Sequence, residues 1–360
     1  MSKSLAATKH FTLARQLRQE FAEMRPGQPV YTVEQLKERF GVSQATVSRA
    51  LDRLSRQGLI HRPAGRNRLV ISEVRPRGLH RVTIIRPSWP SPDYDAMVRA
   101  LMDVGQSRGW AFDLYASAAE VEELDLNRAI GPNDGAIMLF SAADMPAHLA
   151  SALQKPRKPV VLMREVPRDV SHIPGVSLDD EQVGRLAVRH LIELGHRRIL
   201  IVVSEPMMRS VHERVVGWRQ EMRANGIEDA ALLLDCNVLQ GSDSIRQTYE
   251  VFSHWLGRTD RPDFTAVFCV HWTGALGVSR ALREHAQLQV PQDVSMVAYA
   301  GESLLLPYLN PPLTSVEFDM KDYAVAAINQ LQRHFDDPAA PAEQVRIAPY
   351  VVARGSTRAL

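Results

Sequence analysis

Apolar residues near the start of the chain fall at Phe11, Leu13, Ala14, Leu17, Phe21 and Met24, the spacing of one helical face from about His10 to Met24. Arg25-Pro-Gly-Gln-Pro29 breaks that pattern, and Val30-Tyr31 has the character of a very short strand. Thr32 then stands three residues before Gln35, the arrangement of a capping box. The helix it starts would bury Val33, Leu36 and Phe40 and stop at Gly41, a natural left-handed C′ residue. Ser43 caps a further helix from Gln44 to Gln57, whose buried face is expected at Ala45 (facing the turn), Val47, Leu51 and Leu54. Two short apolar runs, Leu59-Ile60 and Leu69-Val70-Ile71, flank a basic tip with glycine, a hairpin signature.

Past Glu73–His80, where Pro76 and Gly78 disfavour regular structure, the pattern changes. Runs suited to buried strands (Val82–Ile85, Ala111–Leu114, Ala136–Phe140, Val160–Met163, Ile199–Val203, Ala266–Val270, Val294–Tyr299) alternate with amphipathic stretches. The latter include Tyr94–Arg108, Gln182–Leu194, Val211–Ala224, Ser244–Leu256, Gly274–Glu284 and Lys321–Phe335. Such alternation predicts an α/β fold with parallel sheets covered on both faces. About 280 residues is large for one open sheet, so two lobes are expected.

Charge sharpens the division. Residues 1–80 hold 15 basic and 6 acidic side chains, a net of +9; the remainder holds 28 and 35, a net of −7. A polyanion-binding head on an ordinary body has this asymmetry. The helix at 44–57 follows a tight turn and offers Gln44, Thr46, Ser48, Arg49 and Arg53 on its outer face, the arrangement that inserts a helix into the major groove. Short polar side chains there reach base edges or phosphates, and the two arginines suit phosphate. Arg62, Arg66 and Arg68 make the hairpin a wing able to grip the backbone.

No phosphate loop, dinucleotide-binding glycine motif, nucleophile elbow or HExxH zinc motif occurs. His196, His212 and His271 are too scattered for a metal site, and Asp179-Asp180 before a helix reads as a cap rather than an acid–base pair. No cofactor or metal is expected. The N-terminus lacks the apolar core of a secretory signal, and no run approaches the ~20 apolar residues of a membrane span. Cys236 and Cys269 are not paired in a CxxC motif, which suits a reducing cytoplasm.

The run VYTVEQLKERFGVSQATVSRALDRLSRQGLIHRPAGRNRLVIS resembles the winged helix-turn-helix of GntR-type regulators. Departures fall on the DNA-facing side: Gln44 stands where arginine is common, and Ser48-Arg49 replaces Arg-Glu. The resemblance implies DNA contacts from Thr32, Ser43, Gln44, Ala45, Thr46, Ser48, Arg49 and Arg53, besides the wing arginines. LDDEQVGRLAVRHLIELGHRRILIVV, the later RVVGW, and PPLTSVEFDMKDYAVAAINQL resemble the effector-binding domain of LacI/GalR regulators. That likeness implies a two-lobed periplasmic-binding-protein-like fold. The expected plan is a winged helix-turn-helix at 1–72, a linker at 73–80 and an effector domain at 81–360. Lobe one would take about 81–196 and 316–337; lobe two, about 197–315 and 338–360.

Effector contacts are implied for Arg214 and Ser210, for Trp89, Asp93 and Tyr94 after the first strand, and for Ser141 and Arg164 at strand ends. His271-Trp272 replaces a common Asn-Asp, and Glu302 follows a position where many relatives have Asp, so a simple hexose does not follow. The implied function is a cytoplasmic, homodimeric regulator, a repressor, that binds double-stranded operator DNA under control of a sugar or sugar derivative. Two rivals stand beside it: a body that only dimerises or binds a protein partner, and a sugar-processing enzyme with a DNA-binding head.

Overall fold

The computed structural model describes residue 10 and residues 12–360, apart from 15, 18–19, 22–23, 26, 57–58, 64–67, 73–79, 118–123, 140–146, 168–169, 228–231, 259–262 and 302–303. They form two units, the first ending at His80 apart from the short segment Gly105–Ala111.

In the first unit, described residues between His10 and Phe21 are helical, and Leu13, Ala14, Leu17 and Phe21 enter the core. Helix α1 (Val33–Phe40) starts with the capping box: the Gln35 N–H donates to Thr32 Oγ1 at 3.2 Å, and the Thr32 N–H donates to Gln35 Oε1 at 2.8 Å. It ends on Gly41 in the left-handed region. Only Leu36 is fully buried on α1, while Val33 and Phe40 pack half-buried against the same core.

Helix α2 (Gln44–Arg56) buries Val47, Ala50, Leu51 and Leu54. Ala45, expected inside, is exposed. The buried set runs i, i+3, i+4, i+7 from Val47, and Ala45 lies two residues before that series, turned to the opposite side. Strands β1 (Ile60–His61) and β2 (Val70–Ile71) pair antiparallel as the hairpin stem. Pro29 bridges to Val70, so the 29–30 segment adds a third strand contact.

The second unit holds two six-stranded sheets. Its elements in chain order are β3 (Arg81–Pro87), α3 (Pro92–Ser107), β4 (Ala111–Ser117), α4 (Leu126–Ile130), β5 (Gly135–Met138), α5 (Ala147–Gln154), β6 (Val160–Met163) and β7 (Gly175–Leu178). Next come α6 (Asp180–Glu193), β8 (Ile199–Val203), α7 (Arg209–Ala224), β9 (Leu233–Asp235), α8 (Ser244–Leu256), β10 (Ala266–Cys269) and α9 (Trp272–Ala281). Last are β11 (Ser295–Tyr299), β12 (Thr314–Glu317), α10 (Met320–Asp336), β13 (Gln344–Ile347) and β14 (Tyr350–Val352). One sheet has the order β13-β7-β6-β5-β3-β4, the other β14-β12-β11-β10-β8-β9. The neighbours from β13 to β3 in the first sheet and from β12 to β9 in the second pair parallel, and the edge strand β14 pairs antiparallel with β12. Strands covered on both faces have no polar side, which is why Ile199–Val203 is buried at every position.

The lobe limits differ from the sequence expectation in two places. Helix α6 packs on strands β10, β11, β12 and β14, so it belongs to the second lobe, not the first. Strand β13 pairs with β7 in the first sheet, although 338–360 was expected in the second. The chain crosses between lobes at 178–180, 317–320 and 347–350. Periodicity reports that a segment is buried, but not which of two similar sheets buries it.

Both cysteines are free and buried, and burial pushes the Cys236 thiol up to about 12. No described helix is long and apolar enough to cross a membrane.

Candidate functional site

The carboxyl ends of β3, β6, β8 and β10 open toward one cavity of about 470 Å³ between the two lobes, the place where open α/β sheets bind ligands. After β3, Trp89, Asp93 and Tyr94 line it; Arg164 follows β6, and His271 and Trp272 follow β10. Ser210 and Arg214 enter from the first turns of α7. The eight described effector candidates thus share one cavity, whereas Ser141 and Glu302 lie outside the described residues.

Arg214 is 4% exposed and fixed on three sides. Its Nε donates to Asp180 Oδ1 at 2.7 Å, its Nη1 donates to the Val270 carbonyl at 2.9 Å, and its guanidinium lies 3.6 Å from the Tyr299 ring centroid. Burial pushes the Asp180 carboxyl above its usual range, an effect Arg214 only partly offsets. Local packing sets this geometry. Helices α6 and α7 cross at Gly184 and Gly217, where added Cβ atoms would lie 2.0 Å from the Arg214 carbonyl oxygen and 1.9 Å from the Glu181 carbonyl oxygen. Asp179 caps α6 by accepting the Gln182 N–H, as its position before the helix suggested, which leaves Asp180 for Arg214.

Opposite, Asp93 from the first lobe meets His271 from the second, with Oδ2 and Nε2 3.3 Å apart. His271 Nδ1 lies 2.7 Å from Thr273 Oγ1, whose hydroxyl donates to Glu205 Oε1 at 3.0 Å. Burial works to raise the Asp93 carboxyl, but His271, Arg164 and Arg214 outweigh it and bring the pKa down to about 2. Burial likewise works to lower His271, and Asp93 and Glu205 outweigh it, so the imidazole titrates above its ordinary value. The pair spans the cleft as an ionic clasp.

Arg164 has φ +83°. A non-glycine residue held there costs about 1–3 kcal/mol. Its N–H donates to the Tyr323 hydroxyl at 2.7 Å and to the Val176 carbonyl at 3.0 Å, and Tyr323 in turn donates to Val176. The guanidinium sits 5.0 Å from the Tyr94 ring centroid, and Trp89 packs edge-on to Tyr94. Aromatic faces beside charged forks suit a ligand with both C–H faces and polar rims.

Asp180, Glu205, Thr273 and Tyr299 were missed from sequence. Glu205 lies just past the end of β8 and was accessible to the strand-end rule; Asp180 and Tyr299 act through Arg214, and only the fold shows that.

In the first unit Gln44, Ala45, Arg49 and Arg53 are exposed along α2, and Thr46 and Ser48 are half-buried. Ser43 Oγ accepts the Thr46 N–H at 3.3 Å. Thr32 Oγ1 is engaged by its capping box, while Arg62 and Arg68 are exposed on either side of the wing; Arg66 lies outside the described residues. His196 is buried against Thr265 and the Arg358 carbonyl, and no metal-binding cluster is found among the described residues.

Residues 12–70 match the family of bacterial regulatory proteins of the gntR type, and residues 188–357 match the periplasmic binding protein-like domain. The HTH-type transcriptional regulator MalR of Streptomyces coelicolor is 28% identical over 342 residues, covering 88% of this chain and 94% of MalR. The ribose operon repressor of Escherichia coli is 26% identical over 288 residues, 77% of this chain and 82% of the repressor. Among solved structures, a LacI family regulator from Enterococcus faecium with bound ribose matches with TM-score 0.65 at 23% identity, over 78% of this chain and 99% of that one. A CelR–cellobiose complex matches with TM-score 0.65 at 23% identity, over 91% of this chain and 100% of that one. These two likenesses concern the fold. The chain is a helix-turn-helix transcriptional regulator. It joins a segment matching the gntR family of bacterial regulatory proteins to a periplasmic-binding-protein-like domain, and its relatives include an HTH-type transcriptional regulator and an operon repressor.

Proposed function

We propose that this regulator is a cytoplasmic homodimeric repressor that reads a near-palindromic operator with α2 and the wing, and that a sugar or sugar derivative in the interlobe cleft sets its DNA affinity. The observation that carries the reading is the cavity itself. Strand ends from both lobes line it, Arg214 is locked in place at its wall, and the Asp93–His271 clasp makes the two lobes' separation depend on what lies between them. A ligand that binds one arrangement of the lobes better than another shifts the population toward it. DNA must then change ligand affinity by the same factor that ligand changes DNA affinity.

The relatives' described ligands, ribose and cellobiose, support a carbohydrate, and the homologues' role as regulators favours this reading over an enzyme. A body that only dimerises is the rival, favoured by one observation: Asp93, His271, Thr273 and Glu205 are hydrogen-bonded to one another in the cleft. A thermal-shift screen over neutral, acidic and phosphorylated sugars separates the two, because a true ligand stabilises the fold by mass action. Concentration-dependent stabilisation that disappears in Arg214→Ala supports effector control. A flat response across the panel favours the dimerising body.

A further inference from the structure

The charged side chains on the cavity wall are nearly all committed. Arg214 holds Asp180, His271 holds Asp93, Glu205 takes the Thr273 hydroxyl, and Asp243 accepts the Arg246 N–H as a helix cap. Arg164 is different. Among the described residues its guanidinium has no carboxylate partner and donates no hydrogen bond, while it lies over the Tyr94 ring. Arginine stays protonated at any physiological pH, so the cleft contains a charged fork of N–H donors that, among the described residues, feels Asp93 and Asp180 only through space and has no carboxylate hydrogen-bonded to it.

The fork is also held in place. Tyr323 and Val176 both take the Arg164 N–H, which holds its backbone in the left-handed region where non-glycine residues are strained. Arg164 also lines a smaller adjoining cavity of about 180 Å³ with Arg209 and Arg346. Of the carboxylates there, Glu213 pairs with Arg209 and Asp180 with Arg214, while Glu165 accepts the Ser210 N–H at Oε1 and has no hydrogen-bond partner at Oε2 among the described residues.

We propose that the effector carries an oxyanion, a carboxylate or a phosphate, that docks on Arg164 in the interlobe cleft. The inference rests on the cleft being an effector site and adds the chemical class of what fills it. A guanidinium binds either group in a bidentate, charge-assisted pair. A neutral polyol offers the fork hydroxyl acceptors but no charge-assisted pair.

The test uses full-length protein and matched ligands: glucose against glucuronate and glucose 6-phosphate, and ribose against ribose 5-phosphate, by calorimetric titration at fixed ionic strength. At least one acid is expected to bind about tenfold to a hundredfold tighter than its neutral parent. Arg164→Gln, which inherits the same backbone strain, is expected to abolish that preference, with the ligand-free melting temperature as the check on folding. Arg164→Lys keeps the charge without the fork and is expected to fall between; it carries the test should Arg164→Gln not fold. The carboxylate and phosphate members tell the two sources apart. A neutral sugar binding as tightly as its acids overturns the oxyanion while leaving the sugar reading standing. An acid preference that survives in both variants overturns the role of Arg164, and silence from the whole panel counts against both proposals.

Discussion

Arg214 illustrates how strongly one side chain depends on its neighbours. Its charge is buried against Asp180, and removing one partner of such a pair costs about 3–5 kcal/mol because the other is left uncompensated. Asp180→Asn therefore lowers the melting temperature, measurable by calorimetry, although Asp180 lies behind the wall of the main cavity. An unchanged melting temperature would mean that the pair stabilises nothing. The Asp93–His271 clasp makes a second prediction, in pH. His271 titrates above its unfolded value, so its contribution is complete below about pH 6.5 and is lost as pH rises through the elevated folded pKa. Asp93 contributes fully above about pH 4 and loses its contribution only as pH falls toward its folded value of about 2. Glu205 also raises His271, Arg164 also lowers Asp93, and Arg214 acts on both. In wild type relative to Asp93→Asn, stability should decline as pH rises above about 6.5; parallel pH profiles for the two proteins would contradict the clasp.

Individual elements decide whether those residues meet. Helices α6 and α7 approach so closely that Gly184 and Gly217 have no room for a Cβ. Gly217→Ala must push the helices apart or shift backbone, and overpacking of this kind typically costs about 1–3 kcal/mol. Because the same crossing places Arg214 against Asp180, the variant should lose ligand affinity along with stability; a purely thermal effect would show that the crossing does not position Arg214. The element scale is also where the sequence was most legible. The Thr32–Gln35 box and Gly41 cap, the hairpin and the long apolar runs at β3, β6, β8 and β10 follow from local rules, because each is settled within a few residues. Short strands such as β9 and β12–β14, and the helices α4 and α5, carried no clear period. Ala45 shows the same limit: its face depends on which neighbouring positions start the buried series. The clasp was beyond reach, since Asp93 and His271 are 178 residues apart.

At the scale of the whole molecule, charge and fold divide the work. On the proposed reading, the net +9 of residues 1–80 supplies the backbone affinity for DNA, and the body, net −7, adds little of that kind. Arg49→Ala should weaken binding to all duplexes and reduce the salt slope by roughly one phosphate contact, with no change in discrimination between sequences. A salt slope equal to wild type would exclude a phosphate contact. Effector control is a coupling between DNA affinity and cleft occupancy, typically ~5–150-fold. The direct measurement is an anisotropy titration of the full-length protein against the duplex upstream of its own gene. A random duplex serves as control, at fixed salt, with and without the sugar acid that most raises the melting temperature. A clear preference for the upstream duplex, shifted several-fold by the ligand in wild type and unshifted in Arg214→Ala, is the predicted result. Affinity for the upstream duplex that is indifferent to a ligand shown to bind the cleft would contradict effector control.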